Sequence, residues 1–191
     1  MPDEIGGEFD WEWPSPCEKQ MFPWPEGAAF YSSARSALLA ICRFVGAPSC
    51  RLFVPEYFCS EVVESLCTAG LRIAVYRDTP DQPSPDLESL RANTGDIVLA
   101  VNFFGVRTFA AWSAWRLANR ETVLIEDHTH DPWSSWALSS EADYAIASVR
   151  KTLPVPDGAI AWSPRMLPVP QPAIILNAPR SFAQIFLPSR S

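Results

Sequence analysis

Two of the fifteen basic residues are lysines, Lys19 and Lys151. Lys151 stands where an amine could do chemistry. It lies within DYAIASVRKTLPVPDG (143–158), a short apolar strand followed by Ser148-x-x-Lys151 and a Pro/Gly turn. An amine at the mouth of a strand, shielded from bulk water, loses part of its preference for charge and attacks carbonyl carbons. The expectation is therefore a largely buried Lys151. Twenty-four residues earlier, VLIEDHTH (123–130) is a second apolar strand, ending in Asp127. A strand-end carboxylate followed by a strand-end amine meets two needs of pyridoxal phosphate: a carboxylate for its ring nitrogen and an amine for its aldehyde.

The same stretch allows a second chemistry. Asp127, His128, His130 and Asp131 fall within five residues after a strand, and such clusters bind zinc or iron in metal-dependent hydrolases. These are the only two histidines in the chain, so further ligands would have to be Asp, Glu or Cys at no recognisable spacing. That reading also leaves Ser148 and Lys151 without a role. A third candidate, a non-catalytic dinucleotide-binding module, lacks a Gly-x-Gly-x-x-Gly turn after the first strand.

Composition narrows the classes. A 191-residue chain buries about 70 per cent of its unfolded surface, enough for one substantial core. Hydrophobic residues at 48% and eight tryptophans argue against disorder. A net charge of −7 supplies no basic patch, so nucleic acid is not an expected partner. The acidic start has no signal-peptide character, and no apolar run approaches a membrane span. Five cysteines at positions 17, 42, 50, 59 and 67 match no zinc or disulfide spacing. They are expected to be reduced and mostly buried, in a cytoplasmic protein.

Positioning these residues falls to alternating strand and helix signals. Residues 1–31, rich in Trp and Pro, are expected to be irregular. Ser32 or Ser33 opens a helix over 34–45, ended by Gly46 and Pro48. Strands are predicted at 51–55, 71–76, 96–101, 122–126, 144–148 and 159–162. Helices are predicted at 59–69, 86–92 and 108–119, with Gly70 suited to follow the first of these. Residues 164–191, punctuated by six prolines, read as an irregular tail. Near-continuous apolar strands separated by helices indicate an α/β fold: three layers, α/β/α, around a mostly parallel sheet. Ligands bind such sheets at the carboxyl ends of the strands, where Pro55, Asn102, Asp127 and Ser148 to Lys151 all sit.

Six segments in order resemble the DegT/DnrJ/EryC1/StrS family of pyridoxal-phosphate sugar aminotransferases. They are IGGEF (5–9), YSSARSAL (31–38), VPEYFC (54–59), VNFFG (101–105), IEDHTH (125–130) and SVRKTLPVPDG (148–158). The resemblance implies the aspartate-aminotransferase-like large domain of fold type I, with residues 32–163 as the domain that binds the cofactor. It implies that Lys151 joins the cofactor aldehyde and moves a proton, and that Asp127 holds the ring nitrogen protonated. It places His130 near the cofactor's phenolic oxygen. It puts Arg35 and Ser36 at the phosphate, where a helix N-terminus independently favours an anion. Ser148 adds a phosphate contact, and Tyr57 or Phe58 (Phe58 in the favoured register) stacks on the ring.

The family also implies glutamate or glutamine as amino donor, a keto group of a nucleotide-linked sugar as acceptor, and a homodimer. A lysine at 151, where some relatives carry histidine and act as dehydratases, favours transamination. The resemblance departs from the family in two places. Gly158-Ala159 stands where a Gly-Gly is frequent, and the C-terminal domain that completes the substrate pocket is expected to be missing. The corresponding expectations are a short or truncated member, or a remnant that holds cofactor without turnover.

Overall fold

The computed structural model describes residues 24–25, 27–46, 49–153 and 155–172. Seven strands form one sheet: β1 (Ala29–Tyr31), β2 (Arg51–Pro55), β3 (Arg72–Tyr76), β4 (Ile97–Val101), β5 (Val123–Asp127), β6 (Tyr144–Ala147) and β7 (Ala159–Trp162). Their order across the sheet is β1-β7-β6-β5-β4-β2-β3. Strands β2 to β6 pair in parallel, whereas β7 runs antiparallel to both β6 and β1. The helices are α1 (Ala34–Val45), α2 (Ser60–Thr68), α3 (Ala110–Ala118) and α4 (Ser135–Leu138).

Alternation along the strands assigns the layers. Leu52, Val54, Leu99, Val101, Ile125 and Ile146 point to the side that holds Leu38, Ile41 and Cys42 of α1 and Leu66 of α2. Their neighbours Phe53, Val98, Ala100 and Leu124 face Trp112 and Trp115 of α3 and Trp136 of α4. Successive strand residues bury on opposite faces, so the sheet is covered on both sides and its central strands are mostly apolar. The three-layer α/β/α reading is thus confirmed.

Helix α1 illustrates how sequence sets an element. Its buried residues Ala37, Leu38, Ile41 and Cys42 recur on one helical face. Ser33 caps its start by accepting from the Ser36 amide. Gly46, at φ 128°, ends it by donating to Cys42 O, in a backbone region that suits glycine. Burial of Leu38 and Ile41 contributes roughly 1.5–3 kcal/mol each. Truncating Ile41, which has no exposed surface, would leave a cavity costing about 2–5 kcal/mol.

Several expectations are corrected. Residues 1–31 are not wholly irregular: Ala29–Tyr31 is an edge strand paired with β7. Residues 1–23, including the IGGEF segment, lie outside the described residues. The helix expected at 86–92 is a single turn. There the Asp86 carboxylate accepts the Glu88 and Ser89 amides, and Ser89 Oγ accepts the Arg77 amide, so local side-chain bonds replace a helical ladder. The cysteines are not mostly buried. Among the four described, all unpaired, only Cys42 is buried, and Cys59 and Cys67 are exposed. Burial pushes the Cys42 thiol up to about 12.

Residues 164–172 carry no helix or strand, as read, yet they are held down. Tyr31 and Tyr144 donate their hydroxyls to Pro170 O and Pro168 O, and Leu167 and Val169 pack against the α1-side core. Residues 173–191 fall outside the described set. Among the described residues, no helix is long and apolar enough to cross a membrane.

Candidate functional site

The chain leaves β2 toward β3 on one side and is continued by β4 on the other, so strand order reverses between β2 and β4. Crevices open at the carboxyl ends of strands near such a reversal. Three loops at those ends carry the candidate chemistry: 102–106 after β4, 128–134 after β5, and 148–158 between β6 and β7.

Asp127 is the last residue of β5 and is half-buried. One carboxylate oxygen accepts the Thr129 amide at 2.9 Å, and the other accepts no hydrogen bond among the described residues. Two residues on, Thr129 Oγ1 accepts the Ser148 amide at 3.0 Å, clamping the loop after β5 to the end of β6. Ser148 itself is buried. It precedes a 3-10 turn, Val149–Lys151, in which Val149 enters the core while Arg150 and Lys151 face out. Lys151 is therefore exposed, not buried as expected, because the tight turn spends its one inward position on Val149.

His130, in the loop after β5, is held by the loop after β4. Its Nδ1 accepts the Phe104 amide at 3.0 Å, and its ring stacks on the Phe104 ring with centroids 5.0 Å apart and planes 5° from parallel. Burial, with the Lys151 charge second, holds His130 below its ordinary 6.5, and Asp127 opposes them.

The phosphate candidates lie at the start of α1. Ser36 Oγ shares a hydrogen bond with Ser33 Oγ at 2.9 Å, and Arg35 is exposed on the first turn. First-turn amides have no intrahelical acceptor, which makes a 12-residue helix a place for an anion. Gly158 donates its amide to Ser32 O at 3.2 Å, tying the loop that follows Lys151 to this helix start. Of the two aromatic candidates, Phe58 is half-buried against the α1-side core. Tyr57 is 53% exposed and meets Phe103 edge-on at 5.7 Å.

The structure separates the two histidines. His128 is fully buried between Trp136 and Trp162, with Nε2 at 2.9 Å from Glu126. It thus serves the core while His130 serves the strand ends. Among the described residues, no group of three His, Cys, Asp or Glu side chains converges to hold a metal.

Sequence places Asn102 at a strand end but assigns no role to it, to Phe104 or to Thr129. Asn102 is fully buried at the end of β4. It donates its amide to Asp127 O at 3.0 Å and its side-chain Nδ2 to Ser134 Oγ at 3.0 Å. Its Oδ1 has no partner among the described residues. The one sequence signal for this junction is Phe-Phe-Gly directly after an apolar strand.

The residues present fit pyridoxal phosphate in kind: an outward amine on the turn after β6, a strand-end carboxylate on β5 with one oxygen open, an imidazole in the loop after β5 and a capped helix start tied to the loop after Lys151. No protein-family model matches the chain, and no curated protein matches it in sequence. Solved structures do match. The sugar-aminotransferase protein Spr1654 of Streptococcus pneumoniae, in its PLP form, aligns at TM-score 0.58 and 18% identity. That alignment covers 74% of this chain and 42% of that one. A DegT DnrJ EryC1 StrS aminotransferase from Brucella abortus aligns at TM-score 0.57 and 17% identity, over 73% and 42%. Serine palmitoyltransferase of Sphingomonas wittichii aligns at TM-score 0.55 and 12% identity, over 74% and 39%. The chain has the fold of the large domain of fold-type I enzymes and spans about two fifths of these neighbours' length.

Proposed function

We propose that the chain binds pyridoxal 5′-phosphate at its strand ends and serves amino transfer from glutamate or glutamine to a keto group of a nucleotide-linked sugar. The observation that supports this reading is the placement of Asp127 at the end of β5 and of outward Lys151 on the turn after β6, in a fold shared with sugar aminotransferases. When bound, the cofactor supplies an aldehyde that carries the amino group and a ring that accepts an electron pair. Lys151, outward on its turn, is the amine that would hold that aldehyde and could move a proton between nitrogen and carbon centres. Asp127 would offer its open oxygen to the ring nitrogen and would favour its protonated form, since a carboxylate beside a cation favours the charged form of both. Arg35, Ser36 and the first-turn amides of α1 take the phosphate, with Ser148 at the adjoining strand end.

Tyr57 is the better placed of the two aromatic candidates to cover the ring, because Phe58 is committed to the core. A homodimer is part of the proposal. Exposed Tyr57, Phe104 and Val106, all at the strand ends, are apolar surface of the kind a second copy covers. Unpaired cysteines support a reducing, cytoplasmic setting.

Cofactor binding is the activity to assay first. Purified protein is incubated with pyridoxal phosphate, reduced with borohydride and digested. The expected result is a visible absorption band that reduction converts to a stable adduct on the peptide containing Lys151, absent in Lys151→Ala. Folded wild-type protein that yields no adduct, or a Lys151→Ala variant that yields the same one, overturns the reading.

A further inference from the structure

The loops after β4 and β5 are locked together more tightly than connection alone requires. Phe104 adopts φ 53° and ψ 15°, the left-handed region, which a bulky side chain rarely enters. Gly105 follows at φ 73°, and a Cβ placed there would lie 2.5 Å from Asp131 Cβ. Asn102 reaches across to Ser134. Within this clamp the Phe104 amide points at His130 Nδ1, and the two rings lie flat on each other. Backbone strain of this kind persists only where surrounding contacts enforce it, and it gathers at functional sites.

An amide N–H can only donate, so the ring nitrogen it meets must be an unprotonated acceptor. A neutral imidazole then carries its proton on the other nitrogen. We infer that Phe104 is a positioning residue whose left-handed backbone fixes His130 in the Nε2–H form, so that the ring donates a hydrogen bond from Nε2 to an oxyanion of the bound ligand. Burial and the Lys151 charge favour the neutral ring this requires, with Asp127 as the opposing charge. The 102–105 turn brings a backbone donor and no charge of its own to His130. Only the last step, donation to a ligand, rests on the cofactor site proposed above.

The test begins without cofactor. Ring-15N-labelled protein shows only two histidines, and His128 identifies itself by its loss in a His128→Gln variant. Above the titration of His130, Nε2 should be the protonated nitrogen by about fivefold or more over Nδ1, the preference one net hydrogen bond confers. The Phe104 amide resonance should shift with the same midpoint as the His130 ring, because protonation at Nδ1 removes its acceptor. Phe104→Gly, which keeps the amide and tolerates the dihedral angle, should retain the tautomer. A protonated Nδ1 in the neutral ring, or a Phe104 amide indifferent to the titration, overturns the positioning role.

Pyridoxal phosphate is then added. Movement of the His130 Nε2–H resonance supports the donor role. An adduct that forms on Lys151 while that resonance stays fixed overturns the donor role and leaves the cofactor site standing. Failure to form the adduct, with the tautomer intact, does the reverse.

Discussion

Arg107 and Asp78 form an ion pair sealed inside the protein: Nη2 lies 3.0 Å from Oδ1, with side-chain exposures of 7% and 0%. Arg107 also donates to Thr79 O and lies over the Phe103 ring, so one guanidinium ties the end of β3 to the loop after β4. Asp78 Oδ2 has no partner among the described residues. Burial raises the Asp78 carboxyl above its ordinary range, and the attraction of Arg107 only partly offsets it.

Removing one partner of such a pair leaves an uncompensated buried charge. Arg107→Met should destabilise by about 3–5 kcal/mol, and Asp78→Asn combined with Arg107→Met should restore part of that loss. Urea unfolding of the three variants measures it. Because the folded carboxyl titrates above its unfolded value, its contribution is full below the ordinary carboxylate range and fades as pH rises through the raised value. The single Asp78→Asn variant should remove that slope.

His130 titrates in the opposite sense. Its folded value is depressed, so the stability it contributes is present above about pH 6.5 and lost as pH falls through the lower folded value. Lys151→Met should raise the His130 midpoint, and Asp127→Asn should lower it further. Ring-proton titration of the three proteins gives both signs, and an unmoved midpoint in both variants would show that the three groups are not neighbours.

Much of this architecture is legible in the chain, for identifiable reasons. Residues 34–45, 51–55 and 159–162 were read to their observed ends, because each apolar run is bracketed by Ser, Gly or Pro. Edge strand β1 escaped notice because Ala29–Tyr31 is three residues in a Trp/Pro-rich stretch and exists through its pairing with β7. The outward face of Lys151 depends on a 3-10 turn whose single buried position goes to Val149, which residue spacing does not reveal. Nor does sequence show that Phe104 sits in the left-handed region, since phenylalanine gives no local reason to expect it.

Asp143 shows how one buried carboxylate can join three parts of the chain. It accepts the Leu124 amide at 2.9 Å, Arg116 Nη2 of α3 at 2.8 Å, and Arg165 after β7. Asp143→Ala should leave the Leu124 amide and Arg116 Nη2 unmatched and cost about 3–5 kcal/mol. Arg165→Ala should cost at most about 1 kcal/mol, since that side chain is half exposed. Thermal unfolding of the two variants ranks them, and equal losses would contradict this assignment.

Gly105→Ala tests the lock between the loops after β4 and β5. The added methyl meets Asp131 Cβ at 2.5 Å, and the φ of 73° adds about 1–2 kcal/mol of backbone strain for any residue with a Cβ. Asp131→Gly in the same chain would relieve the contact but not the dihedral, so the double variant should recover part of the loss and no more. If the lock is what holds His130, Gly105→Ala should also release its ring: the imidazole tautomers should average, and its midpoint should move up toward 6.5 as water reaches it. A Gly105→Ala protein that loses stability while the His130 ring keeps its tautomer and its midpoint would show that the 105–131 contact serves the fold alone.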